Sequence, residues 1–198
     1  TEETNSEREQ KSFFTDIQKF FNLFPNKELA LDIFTVIEGG RIDNIVKHYY
    51  SGIKKEYEKI QLESLQLRPE LKSLPAKKML VEILLQFSIT QKGKLTIPTD
   101  YKNEIKQITS IAKQALQLTA LVEDTAEATL RIYSIISVLD NEEPPQNSWE
   151  DIDLENDIDQ FELESSEDSN TEYENFKFET SPDNEEPYDP IEGTEYRG

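Results

Sequence analysis

The chain has 198 residues, enough for one ordinary domain with an extension or two small ones. Its 41 acidic against 21 basic residues leave a net charge of −20, which opposes nucleic acid or an anionic membrane surface as the main partner. With no cysteine there is no disulfide, zinc ribbon or thiol chemistry; with no apolar run of about 18 residues and no signal-peptide pattern, the chain reads as cytoplasmic.

The charge is unevenly placed. Residues 1–139 hold 19 acids and 19 bases, whereas residues 140–198 hold 22 acids with only Lys177 and Arg197. Two domains of different kind are expected: a neutral helical body, 1–140, and an acidic tail, 141–198. The tail has too few apolar residues to offset an ordering cost of roughly 1–2 kcal/mol per residue, so it reads as mostly disordered. Pro144 and Pro145 mark the boundary.

Within the body the apolar spacing is helical almost throughout, predicting an all-α irregular bundle of about five or six helices. The first stripe is Phe13, Phe14, Ile17, Phe20, Phe21 and Phe24, ended by Pro25 and Asn26. The second runs from Glu28 to Glu38 through Leu29, Ile33, Phe34 and Ile37, and is expected to stop at Gly39 and Gly40, pairing with the first as a hairpin. The third, from Ile42 to about Gln66, carries Ser51 and Gly52 as a place to kink or break. Pro75 suits the start of a fourth helix, whose buried face is Met79, Leu80, Ile83, Leu84 and Phe87, with a stop at Lys92 and Gly93. Leu95–Pro98 reads as an extended linker. Helical spacing then runs from Asp100 to Leu139, too long for one ordinary helix, with a break expected near Thr119–Thr125.

The body offers little to build a catalytic site from: one histidine, no Gly-rich phosphate loop and no nucleophile elbow. The expectation is a non-enzyme with no cofactor. His48, between Lys47 and Tyr49, reads as a surface or half-buried side chain. Around Gly39 and Gly40, Arg41 is placed to form a bidentate pair with Glu38 or Asp43 and lock a helix-to-helix corner; the same charges would also cap helix ends. Glu38, Arg41 and Asp43 are therefore candidate partner contacts beside a structural role.

In the tail, Asp151, Asp153, Glu155, Asp157, Asp159 and Glu162 fall at positions 1, 3, 5, 7, 9 and 12 of an EF-hand loop. Asn156 stands where the turn requires glycine and no amphipathic helix flanks the loop, so weak, nonspecific cation binding is the expectation. The same segment sets Trp149, Ile152, Leu154, Ile158, Phe161 and Leu163 among acids, the pattern of a motif that docks on a basic, apolar groove. An acidic spacer is the other reading.

Leu23–Pro25, the run Ala30–Asp43 and Tyr50–Lys54 resemble the helical region of the nitric-oxide-reductase activation proteins and the related Rubisco-activase adaptors. Residues 186–198 look like the link into the von Willebrand factor A domain that those proteins carry. The densest likeness is over 23–53. The resemblance implies a partner, a hexameric MoxR-type AAA+ ATPase, and a client protein that is remodelled. The metal-binding Asp-x-Ser-x-Ser turn of an A domain does not occur in the 198 residues, nor does a Walker lysine loop. The chain thus reads as a piece of a longer protein, covering helical region and acidic linker, and its lack of an initiator methionine agrees. A free-standing helical interaction module regulated by its acidic tail is the alternative.

Overall fold

The computed structural model describes residues 15–91, 94–142 and 148–153. It is an all-α bundle of six helices among the described residues: α1 Asp16–Asn22, α2 Lys27–Tyr49, α3 Ser51–Leu65, α4 Ala76–Thr90, α5 Lys102–Ala115 and α6 Val122–Ser137. A two-stranded antiparallel ribbon, β1 Lys94–Pro98 with β2 Trp149–Asp153, lies beside them.

Helix α1 opens with a capping box, the Thr15 hydroxyl accepting from the Gln18 N–H and the Gln18 side chain accepting from the Thr15 N–H. It is short, and its phenylalanines supply the anchorage. Phe20 and Phe21 lie 6.0 and 5.5 Å from Phe34 of α2, and Phe24 lies 4.8 Å from Tyr133 of α6 in an edge-on contact. Asn26 caps α2, its side chain accepting from the Leu29 N–H, while its own N–H donates to the Tyr133 hydroxyl.

Helix α2 is the spine. Its 23 residues span about 35 Å, and it touches α1, α3, α4, α5 and α6. The expected stop at Gly39 and Gly40 does not occur, because the helix runs through both. Glycine's left-handed freedom is unused there. At Gly40 the reason is close approach: a Cβ would come within 2.8 Å of both Leu116 Cδ2 and Ser88 Cβ. Gly40 lets α2 sit directly against α4 and the α5–α6 connection. A Cβ on Gly39 would meet nothing within 4 Å.

The third stripe breaks at Tyr50, whose backbone leaves the helical region, one residue before the expected Ser51 and Gly52, which open α3, and the part of the stripe before the break belongs to α2. The core unites Ile33 and Ile37 of α2, Met79, Leu80, Ile83, Leu84 and Phe87 of α4, Ile105 and Ile108 of α5, and Ile132 and Ile136 of α6. Helix α3 contributes no buried residue. It is tied at its C-terminal end by Arg68, whose guanidinium grips the carboxylate of Glu82, a side chain 4% exposed in α4.

Residues read from sequence as linker and tail complete the body. Leu95–Pro98 falls in strand β1, and Trp149–Asp153, placed by sequence in the disordered acidic segment, is its partner in the register Leu95↔Ile152 and Ile97↔Glu150. Ile152 is 2% exposed and belongs to the core. The acids that argued against order here are met by groups distant in sequence: Lys102 Nζ lies 2.8 Å from Glu150, Asp151 accepts from the Thr96 hydroxyl at 2.7 Å, and Asp153 stands across the ribbon from Lys94. Lys72 lies 5.3 Å above the Trp149 ring. Asn141 and Glu142 serve the start of α4, the Ala76 N–H donating to Glu142 O and the Lys77 N–H to the Asn141 side chain. The rest of the acidic tail, 154–198, lies outside the described residues.

Two outcomes test this packing. Gly40→Ala should destabilise the fold by about 1–3 kcal/mol through overpacking, while Gly39→Ala should stabilise it by up to about 1 kcal/mol through helix propensity, both read by urea unfolding. Ile152→Ala should cost about 2–5 kcal/mol if β2 belongs to the core; an unchanged unfolding midpoint would place it outside.

Candidate functional site

The candidate contacts Glu38, Arg41 and Asp43 fall on the second half of α2, and their side chains point two ways. Positions 38, 41 and 44, spaced three apart, form one face. Arg41 makes the bidentate pair foreseen in the sequence, Nε donating to Glu38 Oε2 at 2.8 Å and Nη2 to Oε1 at 2.6 Å. The pair lies within a helix and not across a corner. What it locks is the α5–α6 connection: Arg41 Nη1 donates to Ala120 O at 3.1 Å, and Glu38 accepts from the Thr125 hydroxyl at 2.8 Å. One turn further on, Asn44 Nδ2 donates to Leu116 O at 2.9 Å.

The other face meets α3. Among the described residues Asp43 pairs with neither arginine nor lysine; it accepts from the Tyr57 hydroxyl at 2.5 Å and from Gln61 Nε2 at 2.6 Å. Lys47 Nζ in turn donates to Gln61 Oε1 at 3.3 Å. The three residues singled out as partner contacts are thus engaged inside the chain. Their electrostatics follow. The Arg41 hydrogen bonds hold the Glu38 carboxyl below its ordinary value, against the opposing effect of burial and helped by Thr125. Asp43 pushes the Tyr57 phenol up, chiefly through their hydrogen bond.

These bonds frame a groove of about 840 Å³. Its walls are the end of α2 (Asn44, Lys47 and His48), the face of α3 (Lys54, Glu58, Gln61 and Leu62), the end of α4 from Ile89 to Gln91, and the α5–α6 connection from Leu116 to Thr119. Gln91 ends α4 in the left-handed region at φ 49°, and its side chain donates to Asn44 Oδ1 at 3.0 Å, tying the α4 terminus to α2. Leu62, on α3, and Leu118, on the α5–α6 connection, are 54% and 48% exposed. Lysines 47 and 54 outnumber Glu58, so the groove is net positive. Exposed His48 stacks edge-on against Tyr49 and lies on the rim.

Two other cavities differ in charge. One of about 630 Å³ between α2 and α4 balances Arg68, Lys77 and Lys78 against Glu28, Asp32 and Glu82. The third, about 70 Å³, carries Asp124 and Glu127 against Arg131.

The tail candidates divide at Asp153. Ile152, expected to anchor a partner, anchors β2 to this chain's own core, and Trp149 is half-buried beneath Lys72. Asp151 and Asp153 lie two residues apart on an extended strand paired to β1, roughly 7 Å along one row. An EF-hand instead curls its first ligands around a point, so these two do not begin a calcium loop. Glu155, Asp157, Asp159 and Glu162, with Leu154 and Phe161, lie outside the described residues. Among the described residues, no three acids or histidines converge as a metal cluster would.

Sequence reasoning missed Asn44, Tyr57, Gln61 and the Arg68–Glu82 pair. Asn44 carried a usable signal, since asparagine is a poor residue for a helix interior and its presence there points to a tertiary hydrogen bond. No family model, curated protein or solved structure matches the chain.

Because Glu38 and Arg41 are only 17% and 13% exposed, Glu38→Gln should destabilise the fold by about 3 kcal/mol at pH 7, leaving the guanidinium under-partnered. A carboxyl lowered on folding contributes stability that is fully present above its ordinary value of 4.5 and is lost as pH falls through the lower folded value. The gap between wild type and Glu38→Gln in urea titrations should therefore be constant above pH 4.5 and shrink in acid.

Proposed function

We propose that this chain is a non-catalytic adaptor region of a von Willebrand A domain protein, working with a MoxR-type AAA+ ATPase to remodel or activate a client enzyme. The observation that carries the reading is the coincidence of the family-like stretch with one structural unit. Residues 30–54 make up most of the α2 spine, its clamp on the α5–α6 connection and the α2–α3 break. A unit of this kind presents a rigid helical surface to a large partner. In the same reading the acidic tail is a strap toward a following domain that grips the client, and ATP-driven changes in the ring are passed through the body to that client. No helix among the described residues is long and apolar enough to cross a membrane.

A second reading is a free-standing helical interaction module, and the open groove between α2 and α3 favours it. The two separate on one experiment: co-purification of the full chain with a purified MoxR-type ATPase, with ATP hydrolysis followed in parallel. Complex formation and an altered hydrolysis rate are the expected results. Neither binding nor a rate change would remove the adaptor reading and leave the interaction module.

A further inference from the structure

The geometry points to residues 154–163 of this same chain as the occupant of the positive groove, making that groove a self-docking site that the acidic segment covers.

The first argument is position. Strand β2 ends at Asp153, directly across the ribbon from Lys94. Neighbouring strands lie about 5 Å apart, and the three residues from Lys94 back to Gln91 span at most about 10 Å. Gln91 is part of the groove wall. The chain therefore leaves the described body within about 15 Å of the groove. Ten residues reach about 33 Å when extended, so 154–163 can cross its whole length. The ribbon's other end, where Pro98 faces Trp149, lies with Lys72 ahead of the start of α4, so β2 delivers the chain toward that helix's C-terminal end.

The second argument is charge. Residues 154–163 carry Glu155, Asp157, Asp159 and Glu162 with no basic residue. Of the three cavities described above, this one alone has lysines in excess, Lys47 and Lys54 against Glu58; the larger of the others is balanced and the smaller is net acidic. The third is apolar matching. Leu62 and Leu118 are exposed in the lining of the groove, on different elements, and the segment brings Leu154, Ile158, Phe161 and Leu163 among its acids. Tethering multiplies a weak match. A short flexible linker supplies an effective concentration of about 1 mM, so an intrinsic Kd of about 1 mM already fills half the grooves.

The inference is independent of any ATPase. It is tested on the full chain by zero-length carbodiimide crosslinking at low protein concentration, with equal parts of ¹⁴N- and ¹⁵N-labelled protein. Crosslinks from Lys47 and Lys54 to Glu155, Asp157, Asp159 or Glu162 are expected, within single copies and in excess of links to Lys77 and Lys78 in the balanced cavity. The double variant Ile158→Ser, Phe161→Ser keeps every acid and should lose those links and shift the Leu62 and Leu118 methyl resonances. Three results would overturn the inference: equal crosslinking to Lys77 and Lys78, mixed-label links as frequent as random pairing between copies gives, or links and methyl signals unchanged by the double variant.

Discussion

The ion pair between Glu38 and Arg41 is the constraint on which the arrangement of helices rests. An isolated pair one turn apart in a helix contributes a few tenths of a kcal/mol. Here the pair is mostly removed from water, and each partner spends a remaining bonding position on the α5–α6 connection, Arg41 on Ala120 O and Glu38 on the Thr125 hydroxyl. Desolvation of both charges is offset only if all these bonds form together. The pair therefore acts as a lock that closes when α2, α5 and α6 are in register. Gly40, between the two charges, permits the approach that brings the carbonyl of residue 120 within reach.

The groove follows from the same bonds. Asn44 holds Leu116 on one side and Gln91 on another, while Asp43 holds Tyr57 and Gln61 of α3. Three walls are fixed to one helix by side chains within seven residues of each other. A recess built this way keeps its shape without a ligand, which lowers the ordering cost of filling it. Helix α3, which buries no residue of its own, keeps its place through polar ties, the Asp43 network on α2 and Arg68 on Glu82 of α4. A wall held by hydrogen bonds and not by core packing is the one a bound partner can most easily shift.

Much of this was legible in the sequence. Periodicity brought the helical segments into view, most directly in α2, α4, α5 and α6, whose buried apolar faces the spacing records, while α1 and α3 bury no residue; the Arg41–Glu38 pair and a break close to Tyr50 were also in view. Gly39 and Gly40 misled because glycine has two uses, a left-handed turn and a close contact, and only the packed structure distinguishes them. The ribbon was hidden for a different reason. Asp151, Asp153 and Glu150 look unpairable in their own segment, and their partners Thr96, Lys94 and Lys102 lie about fifty residues away. Composition read in a local window cannot register a charge balance made across the fold. Gln61 was missed because a neutral amide carries no pattern until a neighbour's carboxylate is placed beside it, and the signal at Asn44 named a tertiary bond without naming its partners, Leu116 and Gln91.

The division of charge between body and tail gains a physical meaning from this balance. Several of the body's charges are already paired internally, as Arg41, Arg68 and Lys102 show, so its neutrality is local as well as global. An acidic chain near such a surface is drawn to the few places where positive charge is left over, and at physiological ionic strength that attraction fades beyond about 8 Å. Only a segment delivered close to an unbalanced patch is held by it, which is why the point at which β2 releases the chain matters more than the total of −20. A partner that needs the groove must then compete with about 1 mM of tethered acid, or first draw that acid onto a basic surface of its own. In the second case, capturing the tail and opening the groove are one event, and the two surfaces act as a coupled pair.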